Sequence, residues 1–201
     1  DSAVEGAHRF LKRLWKAVHS HHALGEVQPL EVDKLNEGQK ALRRKTHETI
    51  SKVSDDISRR LTFNTSIAAV MELMNLVNKY NDTSDQGRAV LHEALEAATL
   101  LLSPIVPHIS HTLWEILGHE DIVLDAPWPT VDESALTKDS IQIVAQINGK
   151  VRAKIDMPAD ADKATIEKAA MDDANVQRFL VDKTIRKVIV VPGKLVNIVA
   201  N

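Results

Sequence analysis

The apolar positions change period once, near residue 138: before it they recur every three or four residues, and after it they alternate. Val4, Ala7, Leu11, Leu14, Trp15 and Val18 place an apolar stripe on a first helix over residues 4–19. Arg9, Lys12, Arg13 and Lys16 form a basic ridge on its other side, for which a solvated helix face is the default reading. Residues 21–34 read as a loop. A second helix begins near Asn36 and carries Leu42, Thr46, Ile50, Val53, Ile57 and Leu61 on one face. Lys40, Arg43, Arg44 and Lys45 lie in its first turns, where cations oppose the helix dipole at a cost of about a few tenths of a kcal/mol each.

Phe63-Asn64 reads as a helix restart, with Asn64 as the cap and Phe63 packed over the new turn. The stripe of Ile67, Val70, Met71, Met74 and Val77, widened by Ala68, Ala69 and Leu73, predicts that this third helix is more buried than the second. Val90 to Leu102 is apolar around most of its circumference and belongs in the middle of a bundle. Pro107 opens a fifth helix that Gly118 closes. These signals predict a mainly α protein, a bundle of about five helices over residues 1–121, with residues 122–137 as a linker from which Trp128 packs back on the bundle.

Residues 138–201 then read as a small α+β domain. Ile141, Ile143, Ala145 and Ile147 alternate, Asn148-Gly149 is a strong hairpin signal, and Val151, Ala153, Ile155 and Met157 continue the apolar face. Two short helices, a strand at 185–191, a Pro192-Gly193 turn and a strand at 195–199 complete a ββααββ order. Strict alternation puts Lys150, Arg152 and Lys154 on one face of the second strand, about 6.6 Å apart. With Arg186, Lys187 and Lys194 they could attract phosphate; a solvated sheet edge is the alternative.

Composition narrows the chemistry. No cysteine is present, which excludes disulfides, thiol catalysis and cysteine-ligated zinc. Aromatics at 3% make base stacking a minor source of any nucleic-acid affinity. The net charge of −3 is unevenly spread: residues 1–137 carry 14 basic and 20 acidic side chains, residues 138–201 carry 11 and 8. The tail therefore has the electrostatic reason to meet a polyanion. No apolar run reaches the roughly 18 residues that span a bilayer, so a soluble protein is expected. His19, His21, His22 and the pair His108/His111 lack a second ligand cluster, and Ser51 stands where a His47-Glu48 zincin would need its second histidine, so no metal site is assigned. No glycine-rich phosphate loop or nucleophile with an evident base is present, and no catalytic residue is assigned. The chain opens on Asp1 with a helical pattern beginning almost at once, so it is expected to start inside a longer polypeptide.

The segments HETI, FNTSIAAVMELMN and SPIVPHISHTLWE resemble the anticodon-binding helical domain of class I aminoacyl-tRNA synthetases for aliphatic amino acids. EGAHRFLKRLWK, APWP and QINGKVRAKI narrow the resemblance to the bacterial leucyl-tRNA synthetases, over essentially the whole chain. The resemblance implies a C-terminal part of such an enzyme: a helical domain along the inside of the L-shaped tRNA, and a small domain facing its outer corner. It implies tRNA(Leu) as partner, together with the catalytic and editing domains of the same polypeptide; a cytoplasmic location and a monomer are expected. ATP and Mg belong to the parent enzyme, and no cofactor is expected here, because the HIGH and KMSKS motifs are absent and the piece alone is expected to be non-catalytic. By the same analogy Arg43, Arg44 and Lys45 contribute phosphate contacts from the bundle, and Lys150, Arg152, Lys154, Arg186, Lys187 and Lys194 from the tail. A structural brace that never touches tRNA is the alternative role.

Overall fold

The computed structural model describes residues 2–137, 140–159, 161–181 and 183–201, without side-chain detail at Ser2, Ala3 and Ser140. The chain divides into two compact units, Asp1–Thr137 and Lys138–Asn201. Among the described residues no helix is long and apolar enough to cross a membrane.

The first unit is a five-helix bundle: α1 (Ser2–His22), α2 (Glu37–Asp55), α3 (Phe63–Val77), α4 (Asp85–Leu102) and α5 (Pro107–Ile116). α4 is its centre, burying Val90, Ala94, Leu95, Ala98, Leu101 and Leu102, as its all-round apolar character predicts. α1 docks through Phe10, Leu14, Val18 and His21, a stripe rotated from the expected one; Val4 and Trp15 stay exposed. α2 starts with a reciprocal capping box, in which Asn36 Oδ1 accepts from Gln39 N–H and Gln39 Oε1 accepts from Asn36 N–H, both at 2.9 Å.

The corner between α2 and α3 differs from the expectation. α2 runs into a π-helical turn over Asp56–Arg60, and Leu61 then reverses the chain in the left-handed region, at φ 50°. α3 therefore starts at Phe63 behind Thr62, and Asn64 lies inside its first turn instead of capping it. Phe63 and Leu61 are both exposed. Nor is α3 the more buried helix. α2 is packed by α3, by α4 and by the short helix α6 (Glu133–Leu136), so it buries Gln39, Arg43, Thr46, His47 and Thr49 besides Leu42, Ile50 and Val53.

Residues 122–137 pack on the bundle as part of the first unit. Trp128 Nε1 donates to Ser54 Oγ at 2.8 Å, and Asp132 caps α6 by accepting from Ser134 N–H. Gly87 marks another close approach. Ser84 Oγ caps α4 by accepting from Gly87 N–H, and Asp82 in turn accepts from Ser84 N–H and Gln39 Nε2. A Cβ on Gly87 would lie 2.4 Å from Asp82 Cγ and 2.8 Å from Asp82 O, so the capped loop would have to move. Gly87→Ala is expected to lose about 1–3 kcal/mol despite a helix-propensity gain near 1. A urea midpoint equal to or above the parent's would refute that close approach.

The second unit is a four-stranded sheet in the order β2-β1-β4-β3, with β1 (Ser140–Ile147) parallel to β4 (Leu195–Ala200) and antiparallel to β2 (Lys150–Pro158). β3 (Ile185–Val191) pairs antiparallel with β4. Asn148 and Gly149 both have positive φ, 50° and 78°, as a tight twisted hairpin requires. Asn148 also exchanges side-chain hydrogen bonds with Ala200 N–H and C=O, extending the β1–β4 pairing into the turn. α7 (Lys163–Asp172) and α8 (Ala174–Leu180) place Ile166, Ala170 and Val176 against Ile143, Ala145, Ile147, Met157, Val196 and Ile198.

Candidate nucleic-acid interface

The three cations expected on α2 are all engaged within the bundle. Arg43 is buried, its Nε on Glu93 Oε2 at 3.1 Å and its Nη2 on Asp132 Oδ2 at 2.7 Å. Burial works against its charge, but the two carboxylates outweigh that and raise its pKa. The Ser134 hydroxyl and then Arg43 hold the Asp132 carboxyl well below the usual carboxylate range. His47 completes the cluster: one ring nitrogen lies 3.0 Å from Glu93 Oε1, and the other accepts from Asp132 N–H at 3.1 Å. Arg44 donates twice to Thr137 C=O, and Lys45 pairs with Glu72 at 2.8 Å.

In the second unit the expected row of cations is broken by a bulge. Ala145 pairs with Ala153 but Gln146 pairs with Val151, which leaves Arg152 opposite no residue of β1. The slip turns the end of the strand over. Lys154 opposite Val144 faces away from the helices, whereas Lys150 opposite buried Ile147 belongs to the helix-covered face. Arg152 lies over the Phe179 ring of α8, 3.8 Å from its centroid. β3 repeats the device. Arg186 is the residue skipped between Ile185 and Lys187, and its Nε donates to Asn201 Oδ1 at 2.7 Å. Lys187 opposes Val199 on the outer face, and Lys194 is exposed in the turn before β4.

What emerges is a bare sheet face that sequence reasoning did not assemble. Val144, Leu195 and Val199 are half-buried in its middle, while Val151, Ile189 and Val191 are exposed toward its edges. The edge strands β2 and β3 each contribute one outward lysine, Lys154 and Lys187. Neither has an ion-pair partner among the described residues. Such a face offers apolar contact between two cations set diagonally, three strand spacings or roughly 14 Å apart across the sheet and four residues or roughly 13 Å apart along it.

Three further histidines gather around Glu96. His21 meets His92 at 3.1 Å, His92 approaches Glu96, and His119 bonds the same Glu96 oxygen while stacking on Trp114 at 3.5 Å. Among the described residues no three His, Asp or Glu side chains converge to hold a metal ion.

The family model for the "Anticodon-binding domain of tRNA ligase" matches residues 39–168. Leucine–tRNA ligase of Saccharophagus degradans is 66% identical over 202 residues, covering all of this chain and 25% of that protein. Its counterpart from Alcanivorax borkumensis is 63% identical over 201 residues, again covering all of this chain and 25% of the relative. The chain thus spans about a quarter of the length of the curated relatives it matches. Among solved structures, the ternary complex of Agrobacterium radiobacter K84 agnB2 LeuRS, tRNA and LeuAMS is similar with a TM-score of 0.77 at 26% identity, over 98% of this chain and 26% of that one. Since the matched stretch exceeds half of its length, the chain belongs to the family of anticodon-binding domains of tRNA ligases.

Proposed function

We propose that this chain is the tRNA-holding part of a cytoplasmic leucine–tRNA ligase, positioning tRNA(Leu) by phosphate and shape contacts for ATP-dependent leucylation. The single observation carrying the reading is the similarity to leucine–tRNA ligases along the whole chain, through both units. Catalysis, editing and the binding of ATP and Mg would belong to domains outside these residues. The outer sheet face of the second unit is the contact surface, with Lys154 and Lys187 meeting phosphates and the apolar middle lying against sugar and base edges. Lys194, exposed in the turn before β4, adds charge at its end, whereas Lys150 lies on the helix-covered side. Arg43, Arg44 and Lys45 are spent on holding the bundle together, which favours a bracing role for α2 itself.

Titration into a leucine tRNA transcript and a control tRNA over a range of salt tests the reading. Binding should weaken with a log–log slope of roughly 0.7–0.9 per neutralised phosphate. Lys154→Glu with Lys187→Glu should lower affinity about tenfold and the slope by about two. Unchanged affinity in that double variant would remove the sheet face from the interface.

A further inference from the structure

We propose that Asn148-Gly149 is a gated deamidation site, closed while the end of β4 is paired and open when that end is released. The inference does not depend on the tRNA-binding reading and concerns the covalent chemistry of the β1–β2 turn. Asn148 alone among the asparagines is followed by glycine; the others precede a larger residue or end the chain. That neighbour matters because the reaction closes a five-membered ring through the next residue's backbone nitrogen. A side chain there obstructs closure, and glycine has none. A Cβ built on Gly149 would meet nothing within 4 Å, and both turn residues are exposed, so water reaches the site.

The step needs only water. The Gly149 backbone nitrogen, having given its proton to solvent, attacks the Asn148 side-chain carbon Cγ. The Cγ–Nδ2 bond breaks, Nδ2 leaves as ammonia with its third proton drawn from water, and a cyclic imide remains. Water then opens the imide. Addition at Cγ gives aspartate, whereas addition at the main-chain carbonyl gives isoaspartate, in which the chain runs on through the side-chain carboxyl. One water is consumed and one ammonia released, with no change of oxidation state.

In the folded sheet both reacting groups are tied to β4. Asn148 Nδ2 donates to Ala200 C=O at 2.7 Å and Oδ1 accepts from Ala200 N–H at 3.0 Å, so the amide cannot swing onto Gly149. The Gly149 N–H donates to Asn197 Oδ1 at 3.0 Å, and losing that proton would strand the acceptor. The β1–β4 register ends at Ile147 opposite Ile198, and the Asn148 side chain carries the contact on to Ala200. Neither product fits this clasp. Aspartate has no Nδ2–H for the Ala200 carbonyl and sets an oxygen against it. Isoaspartate also lengthens the main chain by one carbon inside a turn whose two residues have φ of 50° and 78°. Either product leaves the end of β4 unfastened, an irreversible mark that the sheet has opened.

The test follows the parent chain, Asn197→Ala and a synthetic peptide of residues 144–153 at mildly alkaline pH. Peptide mass spectrometry counts the gain of one mass unit at Asn148, and an isoaspartate carboxyl methyltransferase with a labelled methyl donor counts isoaspartate. At a net factor of about five per hydrogen bond, the parent should react about a hundredfold more slowly than the peptide, and Asn197→Ala about fivefold faster than the parent. If Asn197→Ala does not fold, the parent in urea replaces it: its rate should climb to the peptide's as the Ala200 amide loses exchange protection. Freshly prepared Asn148→Asp should exchange the Ala200 and Asn201 amides severalfold faster than the parent. A parent that reacts as fast as the peptide overturns the gate. A parental rate in folded Asn197→Ala, or in urea that has opened Ala200, overturns the lock assigned to β4. An unmodified peptide overturns the site itself, and parental exchange in Asn148→Asp overturns the unfastening.

Discussion

Arg43→Ala is expected to lower the stability of the helical unit by about 3 kcal/mol, the largest effect of any single surface-to-core cation in the bundle. Removing one partner of a buried charge cluster commonly costs about 3–5 kcal/mol because the remaining charges stay desolvated. The lower end applies here because Glu93 and Asp132 are 25% and 40% exposed and can recover part of their hydration. Arg43 also ties elements far apart in sequence. Its two partners come from α4 and from the cap of α6, and Asp132 is bonded to His47 and Ser134 as well. Losing the guanidinium should therefore free residues 129–137 before the bundle melts. Arg43→Lys, a point charge that cannot fork between two carboxylates, should cost about half as much. All three tryptophans, Trp15, Trp114 and Trp128, lie in the first unit, so urea unfolding followed by tryptophan fluorescence reads this unit alone. Limited proteolysis at 129–137 reads the release. An alanine variant within 1 kcal/mol of the parent, cleaved no faster, would mean that the cluster is solvated and dispensable.

Periodicity made the layout legible and left the pairings hidden. α4 was readable because a helix apolar all round has one place to go, and the β1–β2 hairpin because Asn148-Gly149 suits two consecutive positive φ angles. Arg43 illustrates a signal that existed in the pattern. It lies three residues before Thr46 and seven before Ile50, on the buried face, yet its partners stand 50 and 89 residues away and no local rule connects them. The bulges at Arg152 and Arg186 lacked even that signal. One extra residue in a strand leaves composition unchanged, but it moves side chains to the other face, so a period-2 reading aligned Lys150 with Lys154 when the fold separates them. The proposed interface was thus half legible: the basic character of the second unit could be read, but not which sheet face each cation occupies. On α1 the ridge itself was visible; that its cations have no partners could be learned only from the fold.

Acidification should weaken the bundle before its carboxylates titrate, and His21 should be the cause. The side chain is 3% exposed, against His92 and Arg88 of α4 and beside His22, with the Glu96 carboxylate acting in the opposite sense. Burial, followed by His92, Arg88 and His22, lowers its pKa to about 4 against 6.5 in the unfolded chain; Glu96 opposes the shift. Its Nδ1 is buried without a hydrogen-bond partner, so a second ring proton would have no acceptor there. Between pH 6.5 and 4 the unfolded chain takes up a proton that the folded chain refuses, so stability falls as pH falls across that window. At 1.36 kcal/mol per pK unit the full loss is on the order of 3 kcal/mol, about 2 of it by pH 5. Glu96 and Asp132 have lowered pKa values, so their contributions are present above the unfolded carboxylate range and are lost only at lower pH. The windows are therefore separable. Urea midpoints read by tryptophan fluorescence should drop steadily from pH 7 to 5 in the parent and stay nearly flat in His21→Leu, which keeps an apolar side chain in the α1 stripe but cannot titrate. If the two curves fall in parallel, His21 is not the titrating group and the buried His21–His92 contact tolerates the proton after all.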